Sequence, residues 1–161
     1  MFLLGNKWVI PRRRRRCLNT KLSYTLHIHI YLDMDYQEIN KRNIFKWEDT
    51  LKYLVTVLHS NSIPYYLSAS GLDYVLGKEI YPYDIDLFMS SENVKKVFEL
   101  LKEHTISDIH KWENKYIEFQ GIYNDIPFEV CEWEIEPKEF KVLEFKGIRI
   151  DYIHPSSIML E

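Results

Sequence analysis

The chain has 161 residues, 46% of them hydrophobic, with only 5 Gly and 6 Pro, which suits one globular domain with a buried core. No apolar run reaches about 18 residues, which excludes a membrane-spanning helix; the two cysteines, Cys17 and Cys131, stand far apart without metal-ligand spacing, which excludes a disulfide scaffold or zinc site and fits a reducing cytoplasm. The net charge of −3 hides an asymmetry: residues 1–33 hold seven Lys/Arg against Asp33 alone, while residues 34–161 hold 14 Lys/Arg against 23 Asp/Glu, a net −9, and so acidic a body does not hold a nucleic-acid backbone through its general field.

The first segment, "MFLLGNKWVIPRRRRRCLNT", shows neither helical nor strand periodicity. Its arginine run, Arg12 to Arg16, reads as a solvated tail or a nucleic-acid contact. It does not read as a signal peptide, because the basic run follows the apolar stretch and no small-residue cleavage site appears. Two readings stay open: residues 1–33 form a basic N-terminal extension, or translation starts at Met34, whose "MDYQEIN" leads into a helix. The stretch "TLHIHIYLD" (25–33) alternates like a strand, with His27 and His29 sharing a face as an edge strand's polar residues or a metal pair.

Residues 43–61 place Ile44, Trp47, Leu51, Leu54, Val55 and Leu58 at helical spacing, one core stripe on an amphipathic helix. "IPYYLS" (63–68) reads as a strand. "SGLDYVLGK" (70–78) reads as a short helix with Ser70 as N-cap, Asp73 at the capping-box position and Gly77 at the end. "PYDIDLFMS" (82–90) is the next strand. The helix over 91–104 starts at Ser90 or Ser91 and buries Val94, Val97, Phe98, Leu100 and Leu101. Residues 105–114 read as a loop. Residues 115–133 give a hairpin turning at Asn124-Asp125, and 140–153 a second one turning at Lys146-Gly147. "HPSSIMLE" opens a last helix. The order implies an α/β (α+β) fold with a mixed β-sheet flanked by helices.

Two aspartates two apart in an apolar strand are the chemical signal. Asp84 and Asp86 project to one side, with backbones about 6–7 Å apart, while Ile85 and Leu87 point into the core. Such carboxylates raise each other's pKa, and a divalent cation removes that cost. Mg²⁺ with one or two carboxylates and substrate phosphates fits the pair better than a protein-only cage. Upstream, "LSASG" makes a strand-to-helix turn where Ser70 and the N–H groups of Ser70, Gly71 and Leu72 suit a phosphate, and Gly71 permits close approach. Asp73 in that helix opposes anion binding unless it faces away.

A strand, a serine-bearing turn, a short helix and then "DIDLF" on the next strand resemble the nucleotidyltransferase superfamily related to DNA polymerase beta, closest to its minimal stand-alone members. The resemblance covers about residues 44–161, the domain expected over 34–161. It implies nucleotidyl transfer to a hydroxyl with two Mg²⁺ and an NTP, ATP being the expected one. It implies Asp84 and Asp86 as the metal pair, Glu129 in "DIPFEVCEW" as the third catalytic carboxylate and metal ligand (with Glu132 and Glu134 behind it), and Ala69, Ser70 and Gly71 as the phosphate turn. Lys78, Lys111 and Lys115 are candidates to neutralise pyrophosphate or plain solvated lysines, and Tyr74 and Tyr81 candidates to stack on a base or pack. The family prefers glycine where Ala69 stands, and its last helix runs longer than this chain's. Stand-alone members modify antibiotics, proteins or tRNA, some as toxins beside an antitoxin partner. The alternatives are a catalytically decayed binding module of the same fold and a metal-dependent glycosyltransferase, whose sheet follows a dinucleotide-type layout.

Overall fold

The computed structural model describes residues 2–4, 7–9 and 38–153. The arginine run, the strand expected over 25–33, the Met34 start and the helix expected from "HPSSIMLE" lie outside the described residues. Within the basic extension, where the sequence shows no periodicity, β1 (Phe2–Leu4) pairs antiparallel with β2 (Lys7–Val9).

The long amphipathic stretch forms α1 (Ile44–Ser60), burying Trp47, Thr50, Leu51, Leu54, Val55 and Leu58. After β3 (Tyr66–Ser68) comes α2 (Ala69–Val75). It closes in a Schellman motif: Gly77 sits at φ +89, its N–H donates to the Tyr74 carbonyl, and the Lys78 N–H donates to the Asp73 carbonyl. β4 (Ile85–Met89) leads into α3 (Ser91–Leu100), where the Ser90 hydroxyl accepts from the Asn93 N–H at 3.3 Å. A 3₁₀ turn over Lys102–His104 follows.

Three hairpins complete the chain. β5 (His110–Trp112) precedes β6 (Tyr116–Tyr123), which turns through Asn124 and Asp125 (φ 51 and 63) into β7 (Ile126–Glu132). β8 (Lys141–Phe145) turns through Lys146 and Gly147 (φ 47 and 81) into β9 (Ile148–Tyr152). Paired positive φ values give the turn that matches the strands' right-handed twist. The loop expected over 105–114 is corrected by β5. That strand exists through pairing with β6, and its three residues are too few to show a period. Leu100, expected in the core, is 42% exposed. The buried stripe is Val94, Val97 and Leu101, with Phe98 half-buried beside them, and Leu100 falls outside it.

The five-stranded sheet has the order β3-β4-β7-β6-β5, with β4 and β7 parallel and every other pair antiparallel. β8 and β9 form a separate ribbon. One sheet face packs on α1 and α3 through Ile85, Leu87, Met89, Phe119, Phe128 and Val130, all at 0% exposure. The fold is thus the expected helix-flanked mixed sheet, not the parallel dinucleotide layout. Among the described residues no helix is long and apolar enough to cross a membrane.

Candidate active site

The site grows from the other face of the same strands. Strand alternation that sends Ile85 and Leu87 into the core sends Asp86 and Phe88 the opposite way, with Asp84 in phase just before β4. Asp86 and Glu129 are register partners across the parallel β4–β7 pair. One carboxylate oxygen each from Asp84, Asp86 and Glu129 lies within 4.8 Å of the others. Asp86 is 2% exposed and Glu129 6%. Three ionised carboxylates this close repel one another in poorly hydrated surroundings. Their donor set is entirely hard oxygen, the set a divalent cation such as Mg²⁺ takes, so the residues present fit that ion.

The turn after β3 lies alongside. Ser68 is the register partner of Asp86, so Ala69 and Ser70 follow beside Asp84. The Ser70 hydroxyl accepts from the Tyr83 backbone N–H at 3.1 Å, tying the turn to the residue before Asp84. Its own proton remains to be donated. Ser70 is not the helix cap: α2 starts one residue earlier, with Ser68 in the cap position, extended and making no side-chain cap bond. Ala69, the first residue of that element, has a φ of 56. This left-handed conformation is the one glycine adopts without strain, and it falls where the family prefers glycine. The expected conflict with Asp73 does not arise, since its carboxylate pairs with Lys78. Gly71 is accounted for by packing: a Cβ there would stand 2.8 Å from the Trp47 ring.

Trp47 carries no signal beyond its helical spacing, yet it holds the site from behind. Its indole N–H donates to the Asp84 carbonyl at 3.0 Å while its ring lies against Gly71. The carboxylate strand and the turn therefore share one fully buried support. Tyr74 packs in this region too, edge-on to Trp47 and Phe145, with its hydroxyl donating to Glu48 at 2.7 Å. Burial first, and then Glu48, push its pKa up. Tyr74 is a packing residue; Tyr81 is 46% exposed.

The polar face continues across β6 and β5. The Gln120 side-chain amide donates to Glu129 Oε1 at 3.1 Å. Glu118, Glu129 and Cys131 form a second group with ligand atoms within 4.8 Å. There the Cys131 thiol donates to Glu118 at 3.6 Å, and His110 Nε2 lies 2.9 Å from the other Glu118 oxygen. That hydrogen bond raises the His110 pKa against the opposing effect of burial. Apart from Glu129, none of these residues was expected at the site, although Glu118 and Gln120 repeat the Asp84/Asp86 signal: polar residues two apart within the apolar strand "YIEFQGIY". On the far side of the acids, Tyr66 stacks on Phe88 at 5.1 Å and Trp133 on Tyr66 at 6.3 Å.

The remaining candidates lie elsewhere. Glu132 accepts from the Ile117 backbone N–H at 3.0 Å, on the strand face opposite Glu129, and Glu134 is exposed beyond β7. Lys78 is held by Asp73, Lys115 lies over the Tyr116 ring at 4.9 Å, and Lys111 alternates away from His110 on β5.

No protein-family model matches the sequence, and no curated protein matches it. Solved structures do match its shape. A proposed nucleotidyltransferase from Thermotoga maritima aligns with a TM-score of 0.63 at 13% identity, over 76% of this chain and 84% of its own. The lincosamide antibiotic adenylyltransferase LnuA, solved with lincomycin bound, aligns with a TM-score of 0.51 at 15% identity, over 77% of this chain and 86% of its own. The fold is nucleotidyltransferase-like.

Proposed function

We propose that this chain is a divalent-metal-dependent nucleotidyltransferase that moves an NMP from an NTP, with ATP the expected donor, to a hydroxyl of a protein, RNA or small-molecule acceptor. The carrying observation is the convergence of Asp84, Asp86 and Glu129 to within 4.8 Å on one sheet face. Residues 34–161 form the catalytic unit in this reading. The two structural neighbours bear names of this reaction class, which supports it.

Asp84, Asp86 and Glu129 would hold Mg²⁺, which would supply neutralisation of phosphate charge and a lowered pKa for an acceptor hydroxyl. The backbone turn at Ala69, Ser70 and Gly71 receives the triphosphate, with the Ser70 O–H as a donor. The Tyr83 N–H fixes that hydroxyl, so little reorganisation is needed on binding. Trp47 keeps turn and carboxylates in register. The acceptor oxygen bonds to the α-phosphorus as the bond to pyrophosphate breaks. Positioning and charge do the work, and no protein nucleophile is required.

The test is incubation of the protein with each α-labelled NTP, Mg²⁺ and cell lysate, followed by identification of the labelled product. Asp84→Asn and Asp86→Asn should each reduce labelling to background. Wild-type turnover in both variants would defeat the mechanism. Mg²⁺-dependent ATP binding without transfer to any acceptor would favour the binding-module reading, which the Ala69 turn supports.

A further inference from the structure

We infer that Gln120 is a positioning residue that orients the Glu129 carboxylate for a cation without neutralising it; the inference rests on the nucleotidyl-transfer reading above. Gln120 and Glu129 are register partners on antiparallel β6 and β7. The Gln120 N–H donates to the Ser107 hydroxyl at 2.9 Å, and its carbonyl accepts from the Ile106 N–H at 2.9 Å. Both peptide groups therefore point away from β7. That makes Gln120 and Glu129 a non-hydrogen-bonded pair, the kind in which facing side chains approach most closely.

Across this pair the Gln120 Nε2 donates to Glu129 Oε1 at 3.1 Å. The two residues are 1% and 6% exposed, so water competes little for the bond. The amide thus presents its NH₂ to Glu129, whose oxygen accepts. One carboxylate oxygen is thereby held in the residue whose ligand atom lies within 4.8 Å of those of Asp84 and Asp86.

The residue type is the telling choice. A lysine or arginine here would also grip Glu129, but its charge would cancel the one a cation needs. An aliphatic side chain would remove this restraint and add none in its place. A neutral donor restrains the ligand and leaves its charge intact. Partners that orient a metal ligand in this way typically change metal affinity or activity by about 10–100-fold when removed. The anchoring of Gln120 through Ile106 and Ser107 makes its own position rigid, as a support of this kind requires.

The test is Mn²⁺ titration of the full chain, followed by paramagnetic relaxation of water protons, on wild type, Gln120→Met and Gln120→Lys. Far-UV circular dichroism and melting confirm the fold of each variant. Gln120→Met should bind Mn²⁺ about 10–100-fold more weakly, and Gln120→Lys more weakly still. In a Glu129→Gln background, Gln120→Met should add no further loss, which a merely structural role would not produce. Should Gln120→Met fail to fold, Gln120→Asn keeps a buried amide one methylene too short to reach, and the same weakening is expected. Wild-type affinity in these variants, or an equal loss with Glu129 already changed, overturns the inference and leaves the parent reading standing. A wild-type chain that takes up no Mn²⁺ overturns both.

Discussion

The two faces of the five-stranded sheet are made by the same strands and do opposite things. Phe128 and Glu129 are neighbours on β7; the first is sealed against Phe119 and the helices, the second joins two aspartates and an amide. The helix face gains from every apolar side chain it removes from water. The other face places Asp86, Glu118 and Glu129 where water is nearly absent, a costly arrangement unless something of opposite charge or matching donors meets them. Stability and chemistry have been separated by strand alternation, one residue at a time.

That separation can be broken most forcefully at β7. Phe128→Ala should cost about 3–5 kcal/mol in urea unfolding, with activity falling only as the fraction folded falls. Glu129→Gln beside it should leave a folded chain by circular dichroism and abolish Mg²⁺-dependent transfer. If both variants lost stability equally, the division between the faces would be wrong.

A smaller effect tests the turn. Replacing Ala69 by glycine relieves a left-handed residue, worth about 1–2 kcal/mol, against a glycine entropy cost of about 0.5–1 kcal/mol. The melt should therefore rise slightly while nucleotide affinity stays or improves. A large loss of ATP binding by calorimetry would detach this turn from the site.

The smallest effect is in pH. The His110 pKa is raised in the folded chain by Glu118, with Glu129 a lesser contributor. The folded state therefore holds the proton more tightly than the unfolded state does. This contribution to stability is complete below the ordinary histidine value and disappears as pH rises through the raised one. Urea midpoints should decline across that window, and His110→Gln should flatten the decline.

Much of this was legible in the sequence for identifiable reasons. The helical stripe through Trp47 and Leu58, the Asn124-Asp125 and Lys146-Gly147 turns and the Asp84/Asp86 pair are all local signals, set by one element's own period or backbone demand. What was not legible depends on partners distant in sequence. Gly71 looks like a ligand-facing glycine until Trp47 is found against it. Gln120 gains meaning only from the register that sets it opposite Glu129. β5 is too short to announce itself, and nothing in the residue type of Ala69 signals its left-handed conformation.

The parallel pairing of β4 with β7 has a consequence for biosynthesis. Its two strands cannot meet through a tight turn, so α3, the edge strand and a full hairpin must be made before Asp86 and Glu129 become neighbours. Such distant pairings are slow steps in folding. A ribosome-bound chain that has not yet emitted β7 possesses the aspartates without Glu129, so the carboxylate cluster is completed late and all at once.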